Sequence, residues 1–396
     1  MRRSKAEQGD REVPDDRFIM YNSRKEVRLF REPITFSVKD QDFKGIFLVL
    51  VFLVLGGILV DSATYGTRLA PYAAKEWIYI SVSLVVLFLA LYIPYTVWVE
   101  YGYILYALSI IILAVLPLIG KTVAGSKSWL SFGPLGFQPS EIAKVFTVLA
   151  LASYIRDEET HEFTFKDFSV LFGIAFIPFF LTIIQPDFGT ALTFLPIMLA
   201  VVFFSQLRLK ELVKWGSMAA LVMAVLFGLA WVSFFKPYQK ERVMTFFNPS
   251  RDPQGAGYQV NQAKIAVGSG KLTGKGLHAG TQNRLNFLPA PHTDFIFAVA
   301  AEELGFIGSS VILVLFLFLL LKFLDTVENA PSREGAFVAL SAFFIFLLHI
   351  IVNIGMVLGL FPTMGIPLPF LSFGGSFLAS VTLLSGLVLN IRAKRY

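Results

Sequence analysis

The chain has no cysteine and only four histidines among its 396 residues. Without cysteine, disulfide bonds, Cys-ligated zinc and thiol nucleophiles are excluded. The histidines, at 161, 278, 292 and 349, are scattered without the spacing of a His-ligated metal site. We therefore predict no metal from spacing, and the chemistry has to come from other side chains.

Charge is also scarce, since charged residues make up 16% of the chain and hydrophobic residues 55%, with 41 Phe. This is more apolar surface than one soluble core can bury, so lipid must be part of the solvent. A helical span needs about 20 mostly apolar residues. Lipid leaves backbone amides no partner outside their own helix, which predicts an all-α, polytopic bundle. We expect about ten spans, at 45–60, 77–95, 101–118, 140–155, 168–185, 190–204, 215–235, 294–323, 336–360 and 376–391.

The net charge of +6 does not favour nucleic-acid binding, because the basic residues crowd into the tail 1–44 and into short loops. This pattern places both termini in the cytoplasm, with the connection 361–375, which lacks Lys and Arg, on the outer side. The tail has no apolar stretch, so we expect a partly disordered cytoplasmic arm and no signal peptide. The membrane domain is then 45–396.

A long connection, 236–293, is predicted on the outer face. Its aromatic and aliphatic residues alternate with glycine and polar residues, unlike a charge-rich linker, so we expect short helices packed over the mouth of the bundle. Its cations, which include Arg242, Lys271 and Lys275, lie among glycines. Cations and backbone amides together suit an anionic diphosphate headgroup, although the segment is not a Walker loop.

The leading catalytic candidate is Asp294, which starts the apolar run of the eighth predicted span. Either it is a general base at a partly desolvated interface, or it only caps the helix. At helical spacing Glu302 would share its face, about 12 Å deeper. Glu302 then either supports Asp294 or forms a structural ion pair, with Lys144 as a candidate partner. Glu141 and Lys144, spaced i, i+3 after Pro139, are able to pair, structurally or functionally.

Several motifs together resemble the SEDS family (shape, elongation, division and sporulation), whose members RodA and FtsW polymerise peptidoglycan. The resemblance extends from the first predicted span to the last. The motifs are GSKSW at 125–129, QPSE at 138–141, QPDFGT at 185–190, GYQ at 257–259 with Gln262, 268–277, FLP at 287–289, HTDF at 292–295, AEELG at 301–305 and 367–375.

The resemblance implies a ten-helix bundle that joins the disaccharides of lipid II, an undecaprenyl-diphosphate-linked disaccharide pentapeptide, on the outer membrane face. Asp294 matches the family's essential aspartate and would deprotonate the acceptor hydroxyl, which displaces the lipid diphosphate with inversion. His292, Glu141, Lys144 and Glu302 are the supporting candidates. The substrate-binding candidates are Lys127, Trp129, Arg242, Gln259, Gln262, Lys271, Lys275 and Gln282. The sequence identifies no cofactor, and whether a divalent cation shares the leaving-group charge stays open.

The sequence departs from the family pattern at two places. Ala290 and Pro291 stand where a Glu is common, and Ser128 replaces a second basic residue before Trp129. Ala301, with Met356 and Met364, resembles RodA more than FtsW. The implied partners are a class B penicillin-binding protein and the elongation complex. Two other functions remain open at this point: a flippase for the same lipid, and a scaffold that only activates its transpeptidase.

Overall fold

A computed structural model describes residues 41–123, 125–132, 135–158, 164–205, 240, 244–245, 255–285 and 287–393. The predicted span 215–235, nearly all of the predicted tail and Arg242 lie outside the described residues. The number of ten spans and the domain boundary at residue 44 therefore stay predictions.

The described chain is mostly helical, and seven of its helices are long and apolar enough to cross a membrane: α1, α2, α4, α6, α11, α12 and α13. The helices are α1 Phe43–Thr64, α2 Pro71–Tyr92, α3 Tyr95–Glu100, α4 Gly102–Ile119, α5 Pro139–Asp157, α6 Phe165–Ile184, α7 Phe188–Leu192, α8 Leu195–Phe204, α9 Ala256–Ser269, α10 Thr281–Arg284, α11 Ile296–Glu328, α12 Arg333–Val357 and α13 Gly375–Ala393. This confirms a polytopic helical membrane protein.

Each predicted span inside the described ranges coincides with a helix or, at 190–204, with two helices. The break between α7 and α8 precedes Pro196, the second residue of α8. Proline has no N–H to donate to the preceding turn, so the hydrogen-bond ladder cannot run through this point.

Helix α5 is the buried centre of the bundle and packs against α4, α6, α12 and α13. Almost every side of it is covered by protein, so its polar residues are also removed from lipid and water. Glu141 and Lys144, near its start, are each 3% exposed. Such a position requires that the two charges have partners within the protein.

A three-stranded antiparallel sheet connects α4 to α5, which the all-helical prediction did not include. Its strands, β1 Lys121–Val123, β2 Ser126–Phe132 and β3 Leu135–Phe137, lie in the order β1-β2-β3. Trp129 pairs with Lys121, and Leu130 pairs with Phe137. The connection joins the ends of two helices, where the constraint that lipid imposes on backbone amides no longer applies.

The sheet marks one end of the bundle, which we call the loop face. It is the end at which α1 ends and α2, α5, α11 and α13 begin. Helices α9 and α10 belong to the long connection, as predicted, and contact α11. At the opposite end, Asp42 pairs with Lys322 at 2.5 Å and with Arg392 at 3.5 Å, which joins α1, α11 and α13.

Helix α11 is interrupted at Gly305, whose φ of 68° and ψ of −166° are not helical. The loop segment 271–276 fills this break. The amides of Lys275 and Gly276 donate to the carbonyls of Glu302 (3.1 Å) and Glu303 (2.9 Å), and the amide of Phe306 donates to Lys271 at 2.8 Å. Gly274, with φ 79°, lies so close to α11 that a Cβ would overlap its backbone. The loop thus supplies the hydrogen bonds that the broken helix lacks.

Candidate active site

A cavity of about 750 Å³ opens at the loop face. It is enclosed by the start of α2, the sheet, the start of α5, the turn before α7, helix α9, the residues before α11 and the connection between α12 and α13. Lining side chains that carry polar chemistry include Tyr72, Lys75, Tyr79, Trp129, Gln138, Glu141, Asp187, Gln259, His292 and Asp294. The cavity therefore gathers residues that are far apart in the sequence.

Asp294 lies at the wall of this cavity, and its main chain is firmly held. Three consecutive carbonyls accept hydrogen bonds: His292 O from the amide of Phe373 (2.8 Å), Thr293 O from the hydroxyl of Ser372 (2.7 Å) and Asp294 O from the side-chain amide of Asn353 (3.0 Å). Helix α11 begins at Ile296 with Phe295 at the N-cap position. Asp294 therefore immediately precedes the N-cap position, and its role as a base stays a prediction.

His292 lies beside Asp294 among aromatic rings. Its ring stacks on Tyr72 with 4.9 Å between centroids and lies 5.5 Å from the ring of Phe373. Burial disfavours the charged imidazolium and lowers the pKa of His292 to about 4. His292 is therefore neutral at physiological pH and supplies an aromatic wall rather than a positive charge.

Glu141 and Lys144 form a buried ion pair, as their spacing predicts, with 2.8 Å between Lys144 Nζ and Glu141 Oε2. Glu141 lines the cavity, and Lys144 lies behind it within the bundle. The hydroxyl of Ser380 lies 3.5 Å from the same carboxylate oxygen. The alternative pair of Lys144 with Glu302 is wrong.

Glu302 pairs instead with Lys275, at 2.6 Å. The same oxygen, Glu302 Oε1, accepts from the amides of Thr281 (2.8 Å) and Gln282 (3.1 Å). Glu302 is fully buried and is not among the residues that line the cavity. Because Asp294 precedes α11, the two acids do not share one helical face. The geometry gives Glu302 a loop-anchoring position, and its role beside Asp294 stays a prediction.

The predicted substrate-binding residues divide into two groups. Trp129 and Gln259 line the cavity. Lys127, Gln262, Lys271, Lys275 and Gln282 are not among its lining residues, and Arg242 lies outside the described part of the chain. Lys127 donates to the carbonyl of Leu118 at 3.1 Å and so caps the end of α4.

Sequence reasoning missed two residues that line or support the site. Lys75 lines the cavity, with its Nζ 5.3 Å from the ring centroid of Tyr72. A lysine two residues before a predicted span has no motif of its own, although its aromatic neighbours were a signal. Asn353 donates to the carbonyls of Asp294 and Ile366 (2.8 Å). An Asn in the middle of a span could have been singled out as a polar group that needs partners.

Asp187 belongs to the QPDFGT motif and is the N-cap residue of α7. Its Oδ1 accepts from the amide of Thr190 at 3.2 Å. Its other oxygen accepts from the side-chain amide of Gln138 at 3.0 Å, and both residues line the cavity. The cap thus also fixes Gln138 at the cavity wall.

Comparison with known proteins shows the family of the chain. The family model for cell cycle proteins of the FtsW, RodA and SpoVE type matches residues 43–396. The chain belongs to this family. It is 36% identical to peptidoglycan glycosyltransferase MrdB of Escherichia coli (strain K12), over 88% of this chain and 92% of the relative. It is 32% identical to stage V sporulation protein E of Bacillus subtilis (strain 168), over 92% of this chain and 100% of the relative.

Two solved structures share the fold. One is a chain of a peptidoglycan synthase complex that coordinates polymerization and crosslinking, with a TM-score of 0.74 and 29% identity over 90% of this chain and 98% of that chain. The other is the rod shape determining protein RodA of Thermus thermophilus, with a TM-score of 0.66 and 26% identity over the same shares. The fold of the described chain is therefore that of the family.

Proposed function

We propose that this protein is a peptidoglycan glycosyltransferase that polymerises lipid II into glycan strands at the loop face, with Asp294 as the general base. The observation that carries the proposal is the position of Asp294. It lies at the wall of a cavity whose volume suits a sugar substrate, on a main chain held at three consecutive carbonyls. The names and activities of the relatives support the same reaction.

The reaction is one displacement at the anomeric carbon of the donor sugar. The Asp294 carboxylate accepts the proton of the acceptor hydroxyl as its oxygen bonds to that carbon. The bond from the carbon to the diphosphate oxygen breaks at the same time, and the lipid diphosphate leaves with the electron pair. Attack from the opposite side inverts the configuration. Fixing the carboxylate by its main chain keeps it within reach of the hydroxyl.

The leaving diphosphate needs positive charge. Among the lining residues that the structure describes, Lys75 alone is a lysine or an arginine. Lys275, proposed from the sequence, is instead engaged by Glu302, and Lys127 by the end of α4. We therefore propose that Lys75, at the start of α2, binds the diphosphate. Lysine acts in such sites as a point charge that the flexible stem can bring to the phosphate.

A divalent cation remains part of the proposal only as an ion carried by the substrate. Within the described residues no three His, Asp or Glu side chains are arranged to hold a metal. Magnesium usually binds through phosphate oxygens and few carboxylates, which fits an ion that enters with the diphosphate. The measurement is polymerisation in the presence of EDTA with and without added magnesium, and an unchanged rate would remove the ion from the reaction.

The test of the proposed function is glycan formation by purified protein with lipid II as its sole substrate. Asp294→Asn keeps the shape of the side chain but cannot accept the proton, so product should fall by about 10²–10⁴-fold with unchanged thermal unfolding. The matched control is Asp157→Asn, the same change at an exposed carboxylate at the far end of α5. A variant within a few-fold of wild type would rule out Asp294 as the base.

The same assay separates the other two functions. A flippase or a scaffold makes no glycan from lipid II without a partner. The position of the cavity also supports an enzyme, because transporter sites tend to lie near the membrane midplane. Here the cavity is at the loop face, and an ion network of Asp42, Lys322 and Arg392 joins helices at the opposite end.

The proposal also includes location and partners. The positive charge in the tail and short loops puts both termini in the cytoplasm and the loop face outside. One structural relative comes from a peptidoglycan synthase complex. We propose a class B penicillin-binding protein as the partner and cell elongation as the process. Co-purification with such a transpeptidase tests this assignment independently of polymerisation.

A further inference from the structure

His349 is a fully buried histidine in the middle of α12, and neither the motifs nor the proposed reaction uses it. Both of its ring nitrogens face defined partners. Nδ1 lies 2.9 Å from the carbonyl oxygen of Pro367. Nε2 lies 3.4 Å from Nζ of Lys144. A buried imidazole with one partner on each nitrogen has its orientation fixed.

These partners also determine the tautomer. A carbonyl oxygen only accepts, so Nδ1 must carry the hydrogen that it donates to Pro367. The ammonium of Lys144 only donates, so Nε2 must offer its lone pair. A doubly protonated ring would point an N–H at an ammonium group, which is unfavourable in a buried site. His349 is therefore a neutral ring that accepts from Lys144 and donates to the main chain.

The surroundings of Lys144 show why this acceptor matters. Its ammonium has three N–H donors. One is directed at Glu141 (2.8 Å), one at His349, and the face of the Phe377 ring lies 5.6 Å away. Lys144 is 3% exposed, so water does not replace a missing partner. Loss of the His349 acceptor would leave a donor of a buried charge unpaired.

Helix α12 connects this buried pair to the segment beside Asp294. Asn353 lies one helical turn after His349 on the same face. The two side chains bind consecutive carbonyls, His349 that of Pro367 and Asn353 that of Ile366 (2.8 Å). Asn353 also binds the carbonyl of Asp294. The same helix face thus fixes the cavity segment around Ile366 and, through Lys144, the position of Glu141.

We propose that His349 is a positioning residue of the glycosyltransferase site: it directs Lys144 toward Glu141 and ties that pair to the segment that holds Asp294. It does not touch the substrate. The inference rests on the proposed function only for its consequence for turnover, because the geometry of the ring is independent of any reaction.

Two substitutions separate the two nitrogens. His349→Gln places an amide oxygen near the position of Nε2, so it can accept from Lys144. His349→Asn places its amide near Nδ1, so it can reach Pro367 but not Lys144. We expect His349→Gln to keep kcat within about threefold, and His349→Asn to lower it about tenfold or more, the factor that loss of a hydrogen bond to a charged group commonly produces.

A double-mutant cycle tests whether His349 affects turnover through Lys144. In a Lys144→Met background, which has no ammonium to orient, His349→Asn should cause no further loss of kcat. Equal activities of the Gln and Asn variants, or fully additive losses in the cycle, would overturn the proposal. A general packing role predicts the same order of the two variants, because Asn leaves a larger cavity than Gln, but it predicts that the loss persists in the Lys144→Met background.

A second measurement does not depend on activity. Nitrogen-15 shifts of histidine-labelled wild type, assigned by comparison with His349→Gln, should show a neutral ring protonated at Nδ1. A ring protonated at Nε2, or a cationic ring, would overturn the proposal even if the protein polymerises lipid II. If instead the wild type makes no glycan while the Nδ1 tautomer is found, the proposed function fails and the positioning geometry stands.

Discussion

Removal of the ammonium of Lys275 should release the loop segment 271–282 from α11. Lys275 pairs at 2.6 Å with Glu302, which is fully buried, while the Lys275 side chain is 26% exposed. Lys275→Met therefore leaves an uncompensated buried carboxylate. Breaking one partner of a buried pair costs about 3–5 kcal/mol. Glu302 keeps the amides of Thr281 and Gln282 as donors, so we expect the lower end, about 3 kcal/mol.

The converse change should cost less. Glu302→Gln keeps an oxygen that accepts from the amide of Thr281, and it leaves the unpaired charge on Lys275, which can reach water. A lost hydrogen bond of this kind is worth about 1–2 kcal/mol. The double variant should be less destabilised than Lys275→Met alone, because the buried charge has gone as well. This order of the three variants follows because Glu302 is fully buried whereas Lys275 is partly exposed.

The assay is hydrogen exchange measured by mass spectrometry on the detergent-solubilised protein. The amides of Lys275 and Gly276 donate to α11, so they exchange only when the segment opens. A cost of about 3 kcal/mol corresponds to roughly 100-fold faster exchange. The matched control is Lys271→Met, the same change at an exposed lysine of the segment. Equal exchange in the two variants would refute the argument that the ion pair anchors the loop.

Three other results are expected. Burial holds the pKa of His292 near 4, whereas the unfolded side chain titrates near 6.5, so unfolding takes up a proton between these pH values. Lowering the pH from 7 to 5 should therefore destabilise wild type by up to about 2 kcal/mol more than His292→Gln, measured by thermal unfolding. Asn353→Leu should lower kcat about tenfold with Asp294 still present, because two carbonyls of the site lose their donor; an unchanged kcat would contradict this. In intact cells an impermeant maleimide should label Thr273→Cys but not Glu328→Cys, and the reverse pattern would invert the proposed topology.

The spans could be predicted from the sequence because length and hydropathy alone decide whether a helix crosses lipid. The break in α11 could not. Glycine is common in transmembrane helices, and nothing in the run around Gly305 marks it as an interruption. The conformation at Gly305 depends on the segment 271–276, which lies about thirty residues earlier and supplies the missing hydrogen bonds. Local pattern does not report such a contact.

The site, like the fold, could be predicted where it depends on local spacing but not where it depends on contacts between distant segments. Glu141 and Lys144 were found because an i, i+3 pair at a helix start is a local feature. The partner of Glu302 was assigned wrongly, because choosing between Lys144 and Lys275 requires knowledge of which element covers α11. The cations Lys271 and Lys127 were selected for charge, and the structure places neither among the lining residues. Charge in a loop shows that a cation exists but not where it is directed.

The way in which Asp294 is held allows position and chemistry to be tested separately. The hydrogen bonds from Phe373, Ser372 and Asn353 all act on main-chain carbonyls of residues 292–294. None of them depends on the Asp294 carboxylate. Asp294→Asn should therefore remove the basic group while the main chain keeps its position. Loss of activity would then show that the reaction requires proton acceptance by Asp294.

The converse experiment moves the base and leaves its chemistry intact. Ser372→Ala removes one of the carbonyl contacts while Asp294 stays ionisable, so the pH dependence of kcat should keep its shape as its maximum falls. Asp294→Asn should abolish that dependence together with the rate. If Ser372→Ala shifted the pH profile as well, the carbonyl contacts would set the charge state of Asp294 in addition to its place, and the separation of the two roles would fail.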